Sequence, residues 1–181
     1  MRTQEKMEYV VLVNEQDEAI GTMEKMAAHR SGMLHRAFSI FLFDAEGRVL
    51  LQQRANGKYH SPGLWSNACC SHPRPGEDVL PAAERRLKEE LGATAKMNKR
   101  FSFTYHARFA NDLEEHELDH VLFGAFSGEL HPDPAEAKAV RWLSPEELSA
   151  EIAATPEAFT PWLLICWPEV LEHMQRESVS S

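Results

Sequence analysis

Cysteine is scarce in this chain of 181 residues, with three in all. Cys69 and Cys70 are adjacent and Cys166 stands far from both, so the spacing offers no disulfide framework and suits free thiols in a reducing compartment. Long apolar runs are also missing. The longest nearly unbroken one, residues 37–43, falls well short of the roughly 20 residues that a bilayer span requires. The first residues (Arg2, Glu5, Lys6) form no apolar signal region, so the expected location is cytoplasmic with no membrane partner. Positive charge is in deficit: 19 Lys and Arg against 28 Asp and Glu give a net charge of −9. Nucleic acid is thereby excluded as a partner, because affinity for phosphate backbones rests on clustered basic residues. A small anion stays admissible where a few basic residues or a metal overcome the field locally. There are no repeats or low-complexity segments, and no long apolar helix face calls for a second copy, so a monomer is expected.

What is present is ordinary for one globular domain over 1–181, with 43% hydrophobic and 26% charged residues. Residues 8–14 and 19–23 read as strands of a short N-terminal hairpin extension. Residues 25–35 are polar and broken at Ser31-Gly32, which puts Lys25, His29 and His35 on a loop. Two loop imidazoles either stay solvated or converge on a metal. Residues 36–44 and 49–54 form a second hairpin, followed by a loop with Arg54 and Lys58. These two and Lys25 are either solvated or phosphate-binding. The clearest helix is 80–91, where Leu80, Ala83, Leu87 and Leu91 make an apolar stripe, Pro81 fits the first turn and Gly92 the cap. On its polar face Arg85 pairs with Glu89 and Arg86 with Glu90.

Residues 101–109 and 117–126 read as strands around a loop that holds Asp112, Glu114, Glu115, Glu117 and Asp119. In an extended segment Glu115 and Glu117 share a face and repel unless a cation joins them. Ser144-Pro145-Glu146-Glu147 is a capping box, and Thr160-Pro161 opens a last helix that contains Trp162 and bends at Pro168. Residues from about 175 to 181 read as a frayed tail.

The stretch 65–92 crowds thiols, an imidazole, guanidiniums and carboxylates together, groups that are costly to bury unpaired. Its second half, from Glu77 through Arg85-Arg86-Leu87-Lys88-Glu89-Glu90-Leu91-Gly92, resembles a Nudix box, a loop-helix-loop that binds a metal and a diphosphate. Ser71 stands where the box has glycine and Arg86 where it has glutamate. That implies diphosphate binding without the water activation of a hydrolase, and arginine supplies a bidentate phosphate donor. A pyrophosphohydrolase acting on a nucleoside or prenyl diphosphate remains the alternative, since Glu89 and Glu90 are kept. A metal-stabilised binding module without catalysis is a third reading.

Together with Trp65-Ser66-Asn67-Ala68-Cys69-Cys70-Ser71-His72-Pro73, Glu115-His116-Glu117 and Thr160-Pro161-Trp162, the chain resembles the type I isopentenyl-diphosphate delta-isomerase family. The similarity runs over nearly the whole chain, including Gly21 to Lys25, Ala28-His29, His35 to Ser39, Gln53-Arg54-Ala55 and Lys58. It implies an α+β fold, a Nudix-like α/β/α sandwich with mixed and antiparallel strands, one box helix and C-terminal helices. The implied reaction shifts a double bond between isopentenyl and dimethylallyl diphosphate by protonation and deprotonation through a tertiary carbocation. By matching position, Cys70 and Glu117 are the acid/base pair, Tyr105 lies near Glu117, and Trp162 faces the cation. His29, His35, His72, Glu115 and Glu117 would hold Mn²⁺, Zn²⁺ or Mg²⁺. Glu90 would hold a Mg²⁺ on the diphosphate, whose remaining charge falls to Lys25, Arg54, Lys58 and Arg86.

Overall fold

The computed structural model describes residues 7–179, so Arg2, Glu5, Lys6 and the last two tail residues lie outside the described residues. The elements follow in the order β1 (Tyr9–Val13), β2 (Ala19–Glu24), α1 (Lys25–Ser31), β3 (His35–Phe43), β4 (Val49–Arg54), β5 (Trp65–Asn67) and β6 (Cys69–Ser71). Then come α2 (Val79–Leu91), β7 (Met97–Arg108), β8 (Glu114–Ala125), β9 (Ala137–Leu143), α3 (Pro145–Ala154) and α4 (Pro161–Val179).

β3 is the central strand. It runs parallel to β8 in unbroken register from His35 opposite Glu117 to Phe43 opposite Ala125. Along its other edge it meets β1 at Leu12, β6 from Phe38 to Ile40, and β4 only at Phe43 opposite Val49. The expected second hairpin therefore parts after one pair, and β4 turns away to pair with β5 and β9. β7 closes the far side as the antiparallel partner of β8. The sheet is thus mixed, with both pairing types meeting at β3 and β8.

A strand buried on both faces reads as a continuous apolar run, and 37–43 is one. Its period of two sends Phe38, Ile40 and Leu42 into the core under α2, with Leu87 and Leu91. Phe41 goes to the opposite core, under α3 and α4, with Val121, Leu148, Leu163 and Trp167. The α2 stripe differs from expectation at its ends. Leu80 is 40% exposed, while Ala82, Ala83, Leu87, Leu91 and the carboxyl-bearing Glu90 are buried.

Three other expectations change. Residues 25–31 are helical: the Glu24 carboxylate accepts from the Met26 and Ala27 amides at 3.0 and 2.8 Å, and Gly32 ends α1 at φ 66°. Lys25 and His29 therefore sit on a helix and His35 opens β3, rather than on one loop. With seven residues and two buried side chains, Ala28 and His29, α1 has no apolar stripe to announce it. The acidic loop is strand from Glu114 onward, because the face it buries is polar and breaks the usual alternation. α4 continues past Pro168 to Val179, so the tail is helical where fraying was expected, and Arg100 pairs with Glu177 there. The capping box holds as read, with Ser144 Oγ accepting from the Glu147 amide at 3.1 Å.

Truncation separates the true α2 stripe from its periodic appearance. Leu87→Ala should cost about 2–5 kcal/mol in urea unfolding and Leu80→Ala within about 0.5 kcal/mol. Equal losses would contradict the packing described.

Candidate active site

The face of β3 and β8 that carries Phe41, Val121 and Phe123 is polar at its other end. By the same alternation His35 and Ser39 on β3 and Glu115, Glu117 and Asp119 on β8 point to that side. Tyr105 joins them as the cross-strand partner of Glu117. β6 adds the thiol. Cys70 pairs with Ser39 and faces the polar cluster, whereas Cys69 pairs with Ile40 and enters the α2 core. Adjacent residues on a strand take opposite faces, and that alone distinguishes the two cysteines. Cys166 lies in the other core, beneath α4.

A narrow, partly open pocket lies over this face. It is lined by Lys25, Arg54, Lys58, Cys70, His72, Arg86, Glu90, Tyr105, Glu115, Glu117 and Trp162 among others, and all of these are sequence-predicted site residues. His29 and His35 lie behind them, fully buried. The fold thus brings every predicted site residue to one place.

Cys70 sits in a closed set of contacts. Its thiol donates to Asn67 Oδ1 at 3.0 Å, and its sulfur accepts from Trp162 Nε1 at 2.9 Å. Asn67 is oriented by its own amide, which donates to the carbonyls of Ile40 and Cys69 at 2.9 and 3.2 Å. Burial, reinforced by the nearby Asp119, pushes the Cys70 thiol up to about 12, so it is protonated at neutral pH. Asp119 accepts from Ser39 Oγ at 2.7 Å, and burial and Glu117 push its carboxyl well above the usual range.

Glu117 is the opposite case. Burial and Glu115 push it up, but His72 and His35 outweigh them and hold it down at about 2. Its Oε1 lies 2.9 Å from His72 Nε2 and 3.4 Å from His35 Nε2, and Oε2 accepts from Tyr105 at 3.2 Å. Tyr105 also donates to Glu115. Burial opposes ionisation of Glu115 too, yet His60, His29 and Tyr105 keep its carboxyl well below the usual range. Burial lowers His72 to about 4, a neutral imidazole suited to ligation.

Ligand atoms of His29, His35, His72 and Glu117 lie within 4.8 Å of one another, as do those of His29, His60 and Glu115. The Nε2 atoms of His29 and His35 are buried without an aligned hydrogen-bond partner, although carboxylate oxygens approach them at 3.6 and 3.4 Å. Two buried imidazole nitrogens that face carboxylate oxygens without, among the described residues, an aligned hydrogen bond fit a divalent cation between them.

The basic residues form the mouth. Arg86 reaches Glu90 at 2.8 Å and Glu136 at 3.3 Å, and Lys58 bonds the other Glu136 oxygen at 2.6 Å. Lys25 pairs with Glu8 at 3.2 Å, and Arg54 lies over the Trp162 ring at 5.3 Å. Glu90 accepts as well from Gln52 at 3.2 Å. The pairs Arg85–Glu89 and Arg86–Glu90 form as expected, but the main partner of Arg85 is Glu77, bound through two hydrogen bonds of 2.9 Å.

A NUDIX domain model matches residues 33–163. The chain is 49% identical over 162 residues to isopentenyl-diphosphate Delta-isomerase 2 of Aromatoleum aromaticum, covering 90% of this chain and 86% of that protein. It is 51% identical to the Serratia proteamaculans isopentenyl-diphosphate Delta-isomerase, covering 87% and 88%. The chain belongs to this isomerase family within the NUDIX superfamily. The fold agrees: a Deinococcus radiodurans crystal structure superposes with a TM-score of 0.75 at 24% identity, covering 90% of this chain and 98% of that one. A MutT NUDIX hydrolase from Burkholderia pseudomallei gives 0.61 at 22% identity, with 76% and 98% covered.

For this member of the isomerase family, sequence reasoning missed His60, Asp119 and Glu136 as parts of the site. Asp119 had a signal, since it continues the two-residue spacing of Glu115 and Glu117. His60 and Glu136 had none, as only chain folding brings them to Glu115 and Lys58.

A thiol held near 12 is almost wholly protonated at pH 8.5, where an ordinary thiol of pKa roughly 8.5 is about half ionised. Iodoacetamide at pH 8.5 should therefore label Cys70 in the folded protein far more slowly than in the urea-unfolded chain, as peptide mass spectrometry would read. Equal rates would refute the burial-driven shift.

Proposed function

We propose that this protein interconverts isopentenyl and dimethylallyl diphosphate by moving one proton on and one off the five-carbon skeleton. The observation that carries the reading is one cavity that contains both a protonated thiol, Cys70, and an ionised carboxylate, Glu117. An isomerisation with no net gain of protons needs such a pair, one group giving and the other accepting. Protonating the terminal alkene carbon leaves a tertiary cation, and removing a proton from the carbon on its other side forms the new double bond. Trp162, whose indole N–H is bonded to Cys70, lends its ring to the cation. Tyr105 bridges Glu115 and Glu117 and holds the accepting carboxylate in direction.

Lys25, Arg54, Lys58 and Arg86 receive the diphosphate at the mouth. Their carboxylate partners Glu8 and Glu136 are the groups that a diphosphate would displace, and Glu90 would hold a Mg²⁺, which supplies positive charge to the diphosphate when bound. His29, His35, His72, Glu115 and Glu117 would hold a second divalent ion, Mn²⁺, Zn²⁺ or Mg²⁺; when bound it supplies positive charge that sets the acidity and direction of the Glu117 carboxylate. The names of the relatives support isomerisation over hydrolysis, and Arg86, at the box position where a hydrolase needs glutamate, agrees with them.

Incubation with isopentenyl diphosphate and Mg²⁺ in D₂O, followed by NMR, should give deuterated dimethylallyl diphosphate and no released phosphate. Phosphate release would favour the hydrolase, and unchanged substrate would sink both. Cys70→Ala should abolish turnover and Cys69→Ala keep most of it; near-normal activity of the Cys70 variant would remove that residue from the mechanism. Adding Mn²⁺ or Zn²⁺ to chelator-treated protein should raise its Tm, by about 2.7 kcal/mol of stability at an ion concentration 100 times Kd. His72→Ala should reduce that rise, and an unchanged rise would place the ion elsewhere.

A further inference from the structure

His60 is 3% exposed and stands at the edge of the site, with no role in the proton transfer just described. Its Nε2 lies 2.5 Å from Glu115 Oε1, the same oxygen that His29 Nε2 approaches at 3.6 Å. We infer that His60 is a positioning residue that holds the Glu115 carboxylate for the metal and thereby sets the affinity of this centre for a divalent ion. The inference rests on the metal-site reading above.

Distance separates this role from direct ligation. Two donors bound at about 2.1 Å to neighbouring corners of one ion lie about 3 Å apart. A 2.5 Å contact is too close for that and marks a direct imidazole–carboxylate pair instead. His60 groups with His29 and Glu115, while His35, His72 and Glu117 gather around His29 without it. Ser61 Oγ lies 3.2 Å from Nδ1 and can donate to it, the arrangement that puts the hydrogen on Nε2 toward Glu115. The contact with Glu115 lies off the ring's N–H axis, and among the described residues Nε2 has no aligned partner to compete for it.

The ring is also locked, which a positioning group requires. It stacks on Phe109 at 4.5 Å and 8°, and meets Tyr59 edge-on at 4.4 Å and Trp162 at 5.7 Å. The backbone is tied on both sides of the ring, since Arg54 donates to the His60 carbonyl at 3.1 Å and Asn111 to the Tyr59 carbonyl at 2.8 Å. Ser61 takes a left-handed φ of 50°, unusual for a residue with a side chain, where the loop turns to aim the imidazole inward. With Tyr105 on one Glu115 oxygen and His60 on the other, the carboxylate is gripped at both ends and still offers free lone pairs to a cation.

Competition with a chromogenic chelator, with Zn²⁺ and Mn²⁺ as probes, tests this. His60→Phe keeps the stack on Phe109 and removes the nitrogens, and should weaken binding by about 10–100-fold. His60→Gln, whose amide can donate to Oε1, should recover part of the loss. In a Glu115→Gln background the Phe substitution should add less than twofold. Affinity within twofold of the parent for His60→Phe would overturn the inference. An equal loss with and without Glu115 would overturn it too, making His60 a ligand in its own right. Circular dichroism of the metal-free variants checks the fold, and His60→Ala replaces His60→Phe if the larger ring is not accommodated. A parent protein that takes up no divalent ion would instead remove the metal centre itself and the inference with it.

Discussion

The parallel pairing of β3 with β8 is the constraint on which the rest depends. Its register sets His35 against Glu117 and Phe41 against Phe123, so one face changes from charged to apolar along a single pair of strands. A slip of one residue in β8 would turn its side chains to the other face, taking Glu117 out of the cavity and putting Leu118, now packed on Val11 and Val13, in its place. The apolar half, packed beneath α3 and α4, thereby holds the polar half in place. Carboxylates at 3–5% exposure persist there because each has imidazole or tyrosine partners.

That polar half is divided by burial and charge into groups with distinct roles. Burial pushes the Cys70 thiol and the Asp119 carboxyl up, and nearby carboxylates add to the shift. Glu115 and Glu117 are ionised because imidazoles outweigh the same burial. A raised thiol and a lowered carboxyl thus line one cavity through one principle, the balance of desolvation against local partners. At the mouth Lys25, Lys58 and Arg86 are paired with Glu8, Glu136 and Glu90, so the positive charge gathered there is locally balanced.

The box helix shows how one element adapts. Glu77 and Arg85 keep the lead-in loop clamped to α2, which is a structural task. Arg86, one position on, points to Glu90 and Glu136 at the cavity mouth. A guanidinium at that position puts a fixed positive charge with several N–H donors at the cavity mouth, next to Glu90 and Glu136.

By itself the sequence determined most of the strands, the box helix and the Ser144 cap, through local spacing: period two in β3 and three-and-four spacing in α2. The residues that the fold gathers at the cavity were named by the resemblance of their motifs to the isomerase family. The sequence did not disclose α1, whose seven residues have no apolar stripe, nor the strand character of 114–116, whose buried face is polar. Only the tertiary structure decided that Glu136 joins Lys58 to Arg86 and that His60 meets Glu115, and it gave the physical reason why Cys70, not Cys69, faces the cavity. The first two are contacts between residues about 50 to 80 positions apart, and the third is a matter of strand faces. No local pattern encodes them, because they exist only once the sheet has closed.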